Sequence, residues 1–268
     1  MYLVKIDSTK MMQGKQKQPI YSKLAQIYDH IMNDVDYAYW AEYIEELLHQ
    51  HHPEPTKITE LSCGTASLTI ELNKLGDYTL QACDASLDMV RVGRNKLNRI
   101  DNSIPCFQTS FNDLASVRNQ DALVSVFDSV NYLLQAEEIE RFFFEANKSL
   151  VQNGLLIFDF STPKNSIEAV QHLNEVEGDF RNLRYYRTSS FDPKLNIHTN
   201  TFKIIDRSLS GSQAWVEEHR QRAYELDQIK KLLNKSPLKP VAFYDAFSFN
   251  EARSRSTRVT VVARCQNQ

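Results

Sequence analysis

The chain has 268 residues, of which 42% are hydrophobic and 24% charged, a composition typical of a folded globular protein and not of a disordered one. Its formal net charge of −3 provides no broad basic surface, so we expect no nucleic-acid partner and favour a small molecule. Its longest apolar runs have the length of strands, so we expect no membrane span, no signal peptide and a cytoplasmic location.

The N-terminal part of the chain divides into an arm and a helical segment. Residues 1–18 contain four Lys and three Gln with little periodicity, which predicts a flexible arm. Between Tyr21 and His49 apolar residues recur at helical spacing on both sides of the polar sequence NDVD. This pattern predicts two helices.

The central part of the chain alternates strand-like and helix-like segments. The strand-like segments are KITELSC, YTLQACD, IPCFQTS, ALVSVFDS and LLIFDFST, and the helix-like ones are TASLTIELNKL, LDMVRVGRNKLNRI and EEIERFFFEANKSL. Alternation of this kind is typical of βαβ units. It predicts an α/β fold, a doubly wound Rossmann-like and mostly parallel sheet with helices on both faces.

The pattern changes after Thr162. RYYRTSSF, NIHTNTFKIIDRSL and AWVEEHRQRAY interleave polar and apolar residues and are separated by the turns DPKLN and SGSQ. They predict an antiparallel three-stranded flap, inserted over residues 163–224. A helix in ELDQIKKLLNKS and a strand pair in PVAFYDAF and RSTRVTVVARC complete a seven-stranded sheet, so residues 19–162 and 225–268 form the main domain.

The segment ITELSCGTASLTIEL, residues 58–72, predicts a strand, a tight turn and a helix whose free N–H groups face a ligand. A pyrophosphate needs glycines for close approach, but here the small positions are Ser62, Gly64 and Ala66. S-adenosylmethionine, which has one carboxylate and no phosphate, tolerates such side chains. Asp84 ends the next strand, where a carboxylate can accept hydrogen bonds from both ribose hydroxyls. The alternative is that Gly64 only makes the turn and Asp84 only caps a helix.

Four motifs together resemble the class I S-adenosylmethionine-dependent methyltransferases of the small-molecule branch. They are E-L-S-C-G-T-A, A-C-D-A-S-L-D-M, F-D-S-V-N-Y-L and N-G-L-L-I-F-D-F. The likeness runs from Tyr21 to Cys265, and YDHIMNDVDYAYW resembles the N-terminal helical lid of that family. The resemblance implies an enzyme that transfers a methyl group from S-adenosylmethionine to an N or O of a small-molecule acceptor.

The resemblance also implies a set of cofactor contacts, in which Glu60 lies beneath the methionine amine and Asp84 holds the ribose. The full set is Tyr28, Tyr37, Glu60, Ser62, Cys63, Gly64, Asp84, Ala85, Met89, Ser110, Phe111 and Phe127. Three positions depart from the family pattern: Ser62 and Ala66 replace glycines, and Ser110 stands where many relatives have an Asp. These departures leave open a catalytically silent member that binds the cofactor or a partner.

Catalysis of methyl transfer can come mainly from alignment, because the cofactor carries an activated electrophile. If a base is used, His219 is our candidate, since imidazole titrates near neutrality. Glu217 shares its strand face. The rival bases are Tyr28, His198 and Tyr224, and the alternative for His219 is a solvent-exposed residue without a role.

The predicted flap leaves the fifth strand at the carboxyl edge of the sheet, where α/β proteins bind ligands. We therefore expect residues 181–224 to cover the methyl-bearing end of the cofactor and to select the acceptor. A dimerisation surface is the alternative, so the chain is expected to be a monomer or a homodimer.

Other constellations carry less weight. A nicotinamide-dependent oxidoreductase on a similar sheet is disfavoured by the single-glycine loop. His49, His51 and His52 end a helix, where the helix dipole explains them, so we expect no metal site. The four cysteines are far apart in sequence, which favours reduced thiols.

Overall fold

A computed structural model describes residues 16–101, 103–208 and 213–266. The strands of these residues are β1 (Gln16–Lys17), β2 (Lys57–Leu61), β3 (Thr79–Asp84), β4 (Cys106–Gln108), β5 (Gln120–Ser125), β6 (Leu150–Ser161), β7 (Val176–Phe180), β8 (Leu183–Asp192), β9 (Ile197–Asp206), β10 (Gln213–Arg222), β11 (Leu238–Asp245) and β12 (Arg258–Cys265). The helices are α1 (Tyr28–Ile31), α2 (Tyr37–His51), α3 (Ser67–Leu75), α4 (Leu87–Leu97), α5 (Ala136–Ser149), α6 (Pro163–Leu173) and α7 (Leu226–Asn234). Single 3-10 turns span Leu24–Gln26 and Ser129–Tyr132.

The main sheet has seven strands in the order β11-β12-β6-β5-β2-β3-β4. The five strands β2 to β6 are parallel, while β12 runs antiparallel to β6 and to β11. Helices cover both faces of the sheet, and one hydrophobic cluster gathers α2, α3 and α4 while the other gathers α5 and α7. The predicted doubly wound fold is confirmed, because strands that are buried on both faces carry the near-continuous apolar runs of the sequence.

A second sheet has the strand order β1-β10-β9-β8-β7. Its antiparallel core, β8 to β10, is the predicted three-stranded flap. Two more strands extend it: β7 pairs with β8, and β1 pairs in parallel with β10. Helix α6 and strand β7 fill residues 163–180, to which the sequence pattern assigned no element. The SGSQ turn falls mostly on residues 209–212, outside the described part of the chain.

The N-terminal segment lies against both sheets. The predicted arm, residues 1–18, falls mostly on residues 1–15, which lie outside the described residues, while Gln16 and Lys17 form β1. Leu24 and Ile27 pack against Phe202 and Ile204 of the flap in a small hydrophobic cluster of their own. Residues 19–36 are called the lid below, because they lie over the carboxyl edge of the main sheet. None of the helices in the described ranges is long and apolar enough to cross a membrane.

Candidate active site

The loop between β2 and α3 holds three residues in the left-handed region of backbone space. Ser62 has φ +52°, Gly64 +55° and Ala66 +61°. Only glycine adopts this conformation without steric cost. The two non-glycine residues therefore keep the loop shape that glycines would give, and Ala66 precedes α3 instead of lying inside it.

Restoring glycine at these positions is expected to leave the loop intact and to stabilise the protein slightly. The left-handed conformation costs an L-residue roughly 1–2 kcal/mol, and the extra freedom of an unfolded glycine offsets roughly 0.5–1 kcal/mol of that relief. Ser62→Gly and Ala66→Gly should each raise the free energy of unfolding in urea relative to the control. Each also loses a contact: the Ser62 hydroxyl lies 3.0 Å from Ser125 Oγ, and the Ala66 methyl group is buried, which contributes about 0.8 kcal/mol. Ala115→Gly, at an exposed residue outside the left-handed set, is the matched control and should destabilise. A loss of stability in Ala66→Gly as large as in the control would contradict the argument.

Asp84 ends β3 and its carboxylate points into the loop. Oδ2 accepts from the Gly64 N–H at 2.9 Å and Oδ1 from the Ser86 N–H at 2.8 Å. Burial raises the pKa of Asp84, although the N–H groups of Ser86 and Gly64 act to lower it. Ser86 is the N-cap of α4 and accepts from the Met89 N–H at 3.2 Å. Asp84 therefore joins the loop to the start of α4, and each of its oxygens keeps a lone pair for another donor.

Glu60 is a buried carboxyl group beneath the same loop, with 4% of its surface exposed. Burial raises its pKa to about 8, and a hydrogen bond from the Thr69 hydroxyl only partly offsets that rise. At neutral pH the group is therefore mostly protonated until a cation approaches it. Once it has lost its proton, the buried carboxylate can pair with an ammonium group.

A cavity of about 560 Å³ lies between this loop, the carboxyl ends of the parallel strands and the lid. It is lined by all twelve residues predicted from the resemblance, namely Tyr28, Tyr37, Glu60, Ser62, Cys63, Gly64, Asp84, Ala85, Met89, Ser110, Phe111 and Phe127. Tyr21 and Tyr132 also line it, and the sequence analysis did not single them out. Tyr132 belongs to the F-D-S-V-N-Y-L motif, but the local sequence of neither residue indicates a place in this cavity, because tertiary packing of the lid and of the 3-10 turn brings them here.

A second cavity of about 430 Å³ lies between the main sheet, α6 and the flap. It meets the first at four aromatic residues that line both, Tyr21, Tyr28, Phe127 and Tyr132. Trp40 and Phe247 form an aromatic corner, with their ring centroids 4.3 Å apart. The flap contributes a polar wall of Arg187, His198, Asn200, His219 and Gln221. The flap therefore covers the junction of the two cavities.

His219 is buried, with 2% of its surface exposed, so the alternative of a solvent-exposed residue is wrong. Its Nε2 lies 3.3 Å from Glu217 Oε2, and its Nδ1 lies 3.1 Å from the Tyr132 hydroxyl. Tyr132 in turn lies 2.6 Å from the Tyr21 hydroxyl. A continuous hydrogen-bonded chain therefore runs from a buried carboxylate to the junction, and both ring nitrogens of His219 are occupied within it.

Glu217 anchors the lid as well as His219. Its carboxylate accepts from the backbone N–H groups of Tyr21, Lys23 and Leu24 at 2.7, 2.6 and 3.0 Å, and from the Ser22 hydroxyl at 3.2 Å. Burial alone would raise the pKa of Glu217, but the bonds from His219 and from these N–H groups hold it below its usual value. The group is therefore ionised near neutrality.

An ionic cluster forms the floor of the second cavity. Arg258 binds Asp159 and lies 2.6 Å from Asp128 Oδ1, while the Asp128 N–H donates to Asp159 Oδ1 at 2.8 Å. Burial raises the pKa of Asp159 to about 6, and Arg258 acts to lower it. Phe127 and Asp128 both have positive φ, +61° and +48°. The cluster holds this strained loop, which lines both cavities.

The rival bases occupy different places. Tyr28 lines both cavities, and His198 lines the second, where burial lowers its pKa and its Nε2 lies 2.8 Å from Ser189 Oγ. Tyr224 lines neither of them and donates to the Leu133 carbonyl. Tyr28 and His198 therefore lie at the cavities, while Tyr224 lies away from both.

The other histidines and the cysteines lie apart from this site. His49 contacts the Tyr78 hydroxyl at 3.1 Å, and His51 contacts the Tyr244 hydroxyl at 2.9 Å. Within residues 16–101, 103–208 and 213–266 no group of three or more His, Cys, Asp or Glu could hold a metal ion. The four cysteines are buried free thiols, and of them only Cys63 lines the first cavity.

Comparison with known proteins agrees with this geometry. A sequence-family model described as a methyltransferase domain matches residues 58–154. A Geobacillus sp. (strain WCH70) protein named as a methyltransferase is 28% identical over an alignment of 250 residues, which covers 91% of this chain and 99% of that protein. Among solved structures, an S-adenosylmethionine-dependent methyltransferase from Clostridium acetobutylicum ATCC 824 superposes with a TM-score of 0.76 at 24% identity, covering 92% of this chain and 99% of its own. The sugar N-methyltransferase KedS8 from Streptoalloteichus sp. ATCC 53650 superposes at 0.70 with 15% identity, covering 90% and 93%.

The fold is that of the class I S-adenosylmethionine-dependent methyltransferases, and residues 58–154 match the methyltransferase domain. The chain is similar to the Geobacillus protein over 91% of its length.

Proposed function

We propose that the first cavity holds S-adenosylmethionine and the second holds a small-molecule acceptor, whose N or O is methylated at the junction. The observation that carries the proposal is the meeting of the two cavities at Tyr21, Tyr28, Phe127 and Tyr132. On one side of these aromatics lies the cofactor-type loop, and on the other lies the polar wall of the flap.

The residues of the first cavity fit the cofactor. The Asp84 oxygens can each accept one ribose hydroxyl beside their bonds to Gly64 and Ser86. Glu60, protonated in a buried site, can lose its proton to pair with the methionine ammonium. The bound cofactor supplies an activated methyl group, so the protein's part is to align the acceptor and remove its proton.

The character of the second cavity supports a small polar acceptor. A volume of about 430 Å³ lies within the range of small-molecule sites. Its aromatic corner and polar wall suit a ring or chain that carries hydrogen-bonding groups. KedS8, a sugar N-methyltransferase with the same fold, supports a compact polar molecule as the acceptor here.

The hydrogen-bonded chain at the junction has a direction that suits proton removal. The ionised Glu217 only accepts, so His219 donates its Nε2–H to it and its Nδ1 accepts from Tyr132. Tyr132 then accepts from Tyr21, whose oxygen keeps lone pairs toward the cavities. A proton leaving the acceptor can pass through the two hydroxyls to His219, where Glu217 stabilises the imidazolium. His219 therefore acts as a base at a distance and not by direct contact.

Asp84 provides the test of the proposed cofactor site. Loss of a charge-assisted hydrogen bond costs roughly 1.5–3 kcal/mol, so Asp84→Ala should weaken the binding of S-adenosylmethionine, measured by isothermal titration, by roughly tens of fold. Asp101→Ala is the matched control: Asp101 also accepts from the N–H two residues on, at 2.8 Å, but lies outside both cavities. If Asp84→Ala bound S-adenosylmethionine with unchanged affinity, Asp84 would not be a cofactor ligand. If the wild type bound neither S-adenosylmethionine nor S-adenosylhomocysteine, the proposed function itself would fail.

Glu60 should make cofactor binding pH-dependent. Its raised pKa of about 8 means that at pH 7 binding of an ammonium group must displace a proton, so affinity should rise as the pH increases from 6 toward 8. Titration in two buffers that differ in ionisation enthalpy should reveal proton release near neutrality. Glu60→Gln should bind more weakly and release no proton. If the variant and the wild type released the same number of protons, the released proton would come from a group other than Glu60.

The main argument for a catalytically silent protein is the replacement of two loop glycines, and the conformation of the loop weakens that argument. Ser62 and Ala66 keep the backbone conformation that glycines would adopt, so their side chains do not open or close the loop. Release of S-adenosylhomocysteine in the presence of small amines and alcohols is the direct measurement. Turnover with any of them would exclude a silent protein.

A further inference from the structure

Arg187, on strand β8, presents a guanidinium group to the second cavity. Its Nε and Nη2 both donate to a single oxygen, Asn200 Oδ1, at 3.1 and 2.9 Å. The guanidinium carbon lies 5.2 Å from the centroid of the Phe202 ring. Because a guanidinium carries five N–H donors, this packing orients the group and leaves donors available to a ligand.

The charge on Arg187 is not balanced by a neighbouring carboxylate. None of the ion pairs among the described residues includes Arg187. The carboxylates around the cavity have partners of their own: Asp128 and Asp159 share Arg258, and Glu217 binds the lid and His219. Even a half-buried cation without a counter-ion is costly, and burial accordingly lowers the pKa of Arg187.

Arg187 is linked through Asn200 to the end of the second cavity at which methyl transfer is proposed. Asn200, which holds the guanidinium, lies directly opposite His219 in the β9–β10 register. Tyr21, Tyr132 and Asp128 line the same cavity as Arg187. His198 is the other titratable group beside it, and its imidazole is disfavoured as a cation there. An anion placed between these groups would therefore be recognised mainly by Arg187.

We propose that Arg187 binds an anionic group of the acceptor, a carboxylate or a phosphate, and so restricts the enzyme to acidic small molecules. The inference rests on the proposed function, in which the second cavity is the acceptor site. The planar fork of an arginine matches either oxyanion in a two-point contact. Arg187 then selects and orients the acceptor, while the chain that begins at Tyr21 removes its proton.

Anion binding to the cofactor-loaded protein tests the proposal. Inorganic phosphate and acetate are each titrated into protein that is saturated with S-adenosylhomocysteine, using wild type, Arg187→Gln and Arg184→Gln. Arg184 lies on the opposite face of β8 and pairs with Glu177 and Asp179 at the surface, so it is the matched control. Wild type and Arg184→Gln should bind at least one anion, and Arg187→Gln should bind it roughly tenfold or more weakly. Tighter binding of phosphate would indicate a phosphorylated acceptor, and tighter binding of acetate a carboxylic acid.

Two outcomes would overturn the proposal: equal anion binding by Arg187→Gln and wild type, or no binding of either anion by a wild type that does bind S-adenosylhomocysteine. Failure of the wild type to bind S-adenosylhomocysteine would instead refute the proposed function. Crystals of the wild-type complex soaked in sodium selenate give a measurement that does not depend on the folding of a variant. The anomalous selenium peak should lie beside Arg187, and a peak in the cavity away from that side chain would contradict the assignment.

Discussion

Replacement of His219 by asparagine is expected to lower kcat by about a hundredfold or more, within the range of general base catalysis, while the affinity for the cofactor stays nearly unchanged. His219 lines the second cavity but not the first, and it receives the proton through Tyr132. Tyr132→Phe should act in the same direction, because it removes the hydroxyl that joins His219 to Tyr21. The effect should be largest for a hydroxyl acceptor and smaller for an amine that is already neutral in solution.

Cofactor affinity separates this role from a structural one. A structural defect at His219 would disturb the lid and weaken the binding of S-adenosylmethionine together with the rate, whereas loss of the proton relay lowers kcat alone. Tyr186→Phe is the matched control for Tyr132→Phe, since Tyr186 is a flap tyrosine that lines neither the first nor the second cavity. If both chain variants kept the wild-type rate, alignment alone would account for catalysis.

The elements predicted correctly are those whose buried residues form a recognisable strand or helix pattern in the local sequence. Strand β6 is an example: the run from Leu155 to Phe158 is buried on both faces, and so it appears as an unbroken apolar segment. Helix α6 gave no such signal, because Ser166 is its only fully buried residue. Strand β7, VEGDF, has no fully buried residue and pairs only with β8 at a sheet edge. Segments that bury little apolar surface carry little pattern.

The candidate site likewise has one part that the sequence predicts and one part that it does not. The first cavity could be predicted because its residues follow strand ends in sequence, as Glu60 and Asp84 do. The second cavity depends on how the lid, the flap and α6 meet, which no local motif specifies. The flap strand QAWVEEHRQR reads as polar and solvated, yet Glu217 and His219 are buried. They are tolerated inside because the lid supplies N–H donors and Tyr132 supplies a hydroxyl.

Replacement of Glu217 by alanine is expected to lower the free energy of unfolding by about 3–5 kcal/mol, the loss typical of breaking a buried charged network. The carboxylate is fully buried, and its removal leaves the N–H groups of Tyr21, Lys23 and Leu24 without their acceptor. Because Tyr21 and Tyr28 belong to the lid and line the first cavity, the variant should also bind S-adenosylmethionine more weakly. Urea unfolding and isothermal titration measure the two effects.

The neighbouring residue supplies the control for this experiment. Glu218 is partly exposed and pairs with Lys17 at 3.5 Å, so Glu218→Ala should cost less than about 1 kcal/mol and leave cofactor affinity unchanged. Glu217→Gln keeps one acceptor oxygen and should fall between the two. Since the folded state holds the pKa of Glu217 below its ordinary value of 4.5, the stabilisation from its charge is present above that pH and is lost as the pH falls below it. The difference in free energy of unfolding between wild type and Glu217→Gln should therefore become smaller at acid pH.

One outcome would contradict the link between the lid and the cofactor cavity. If Glu217→Ala loses stability but keeps full cofactor affinity, the flap holds the lid without shaping the cofactor cavity. The two sites would then be less coupled than their shared aromatic residues imply.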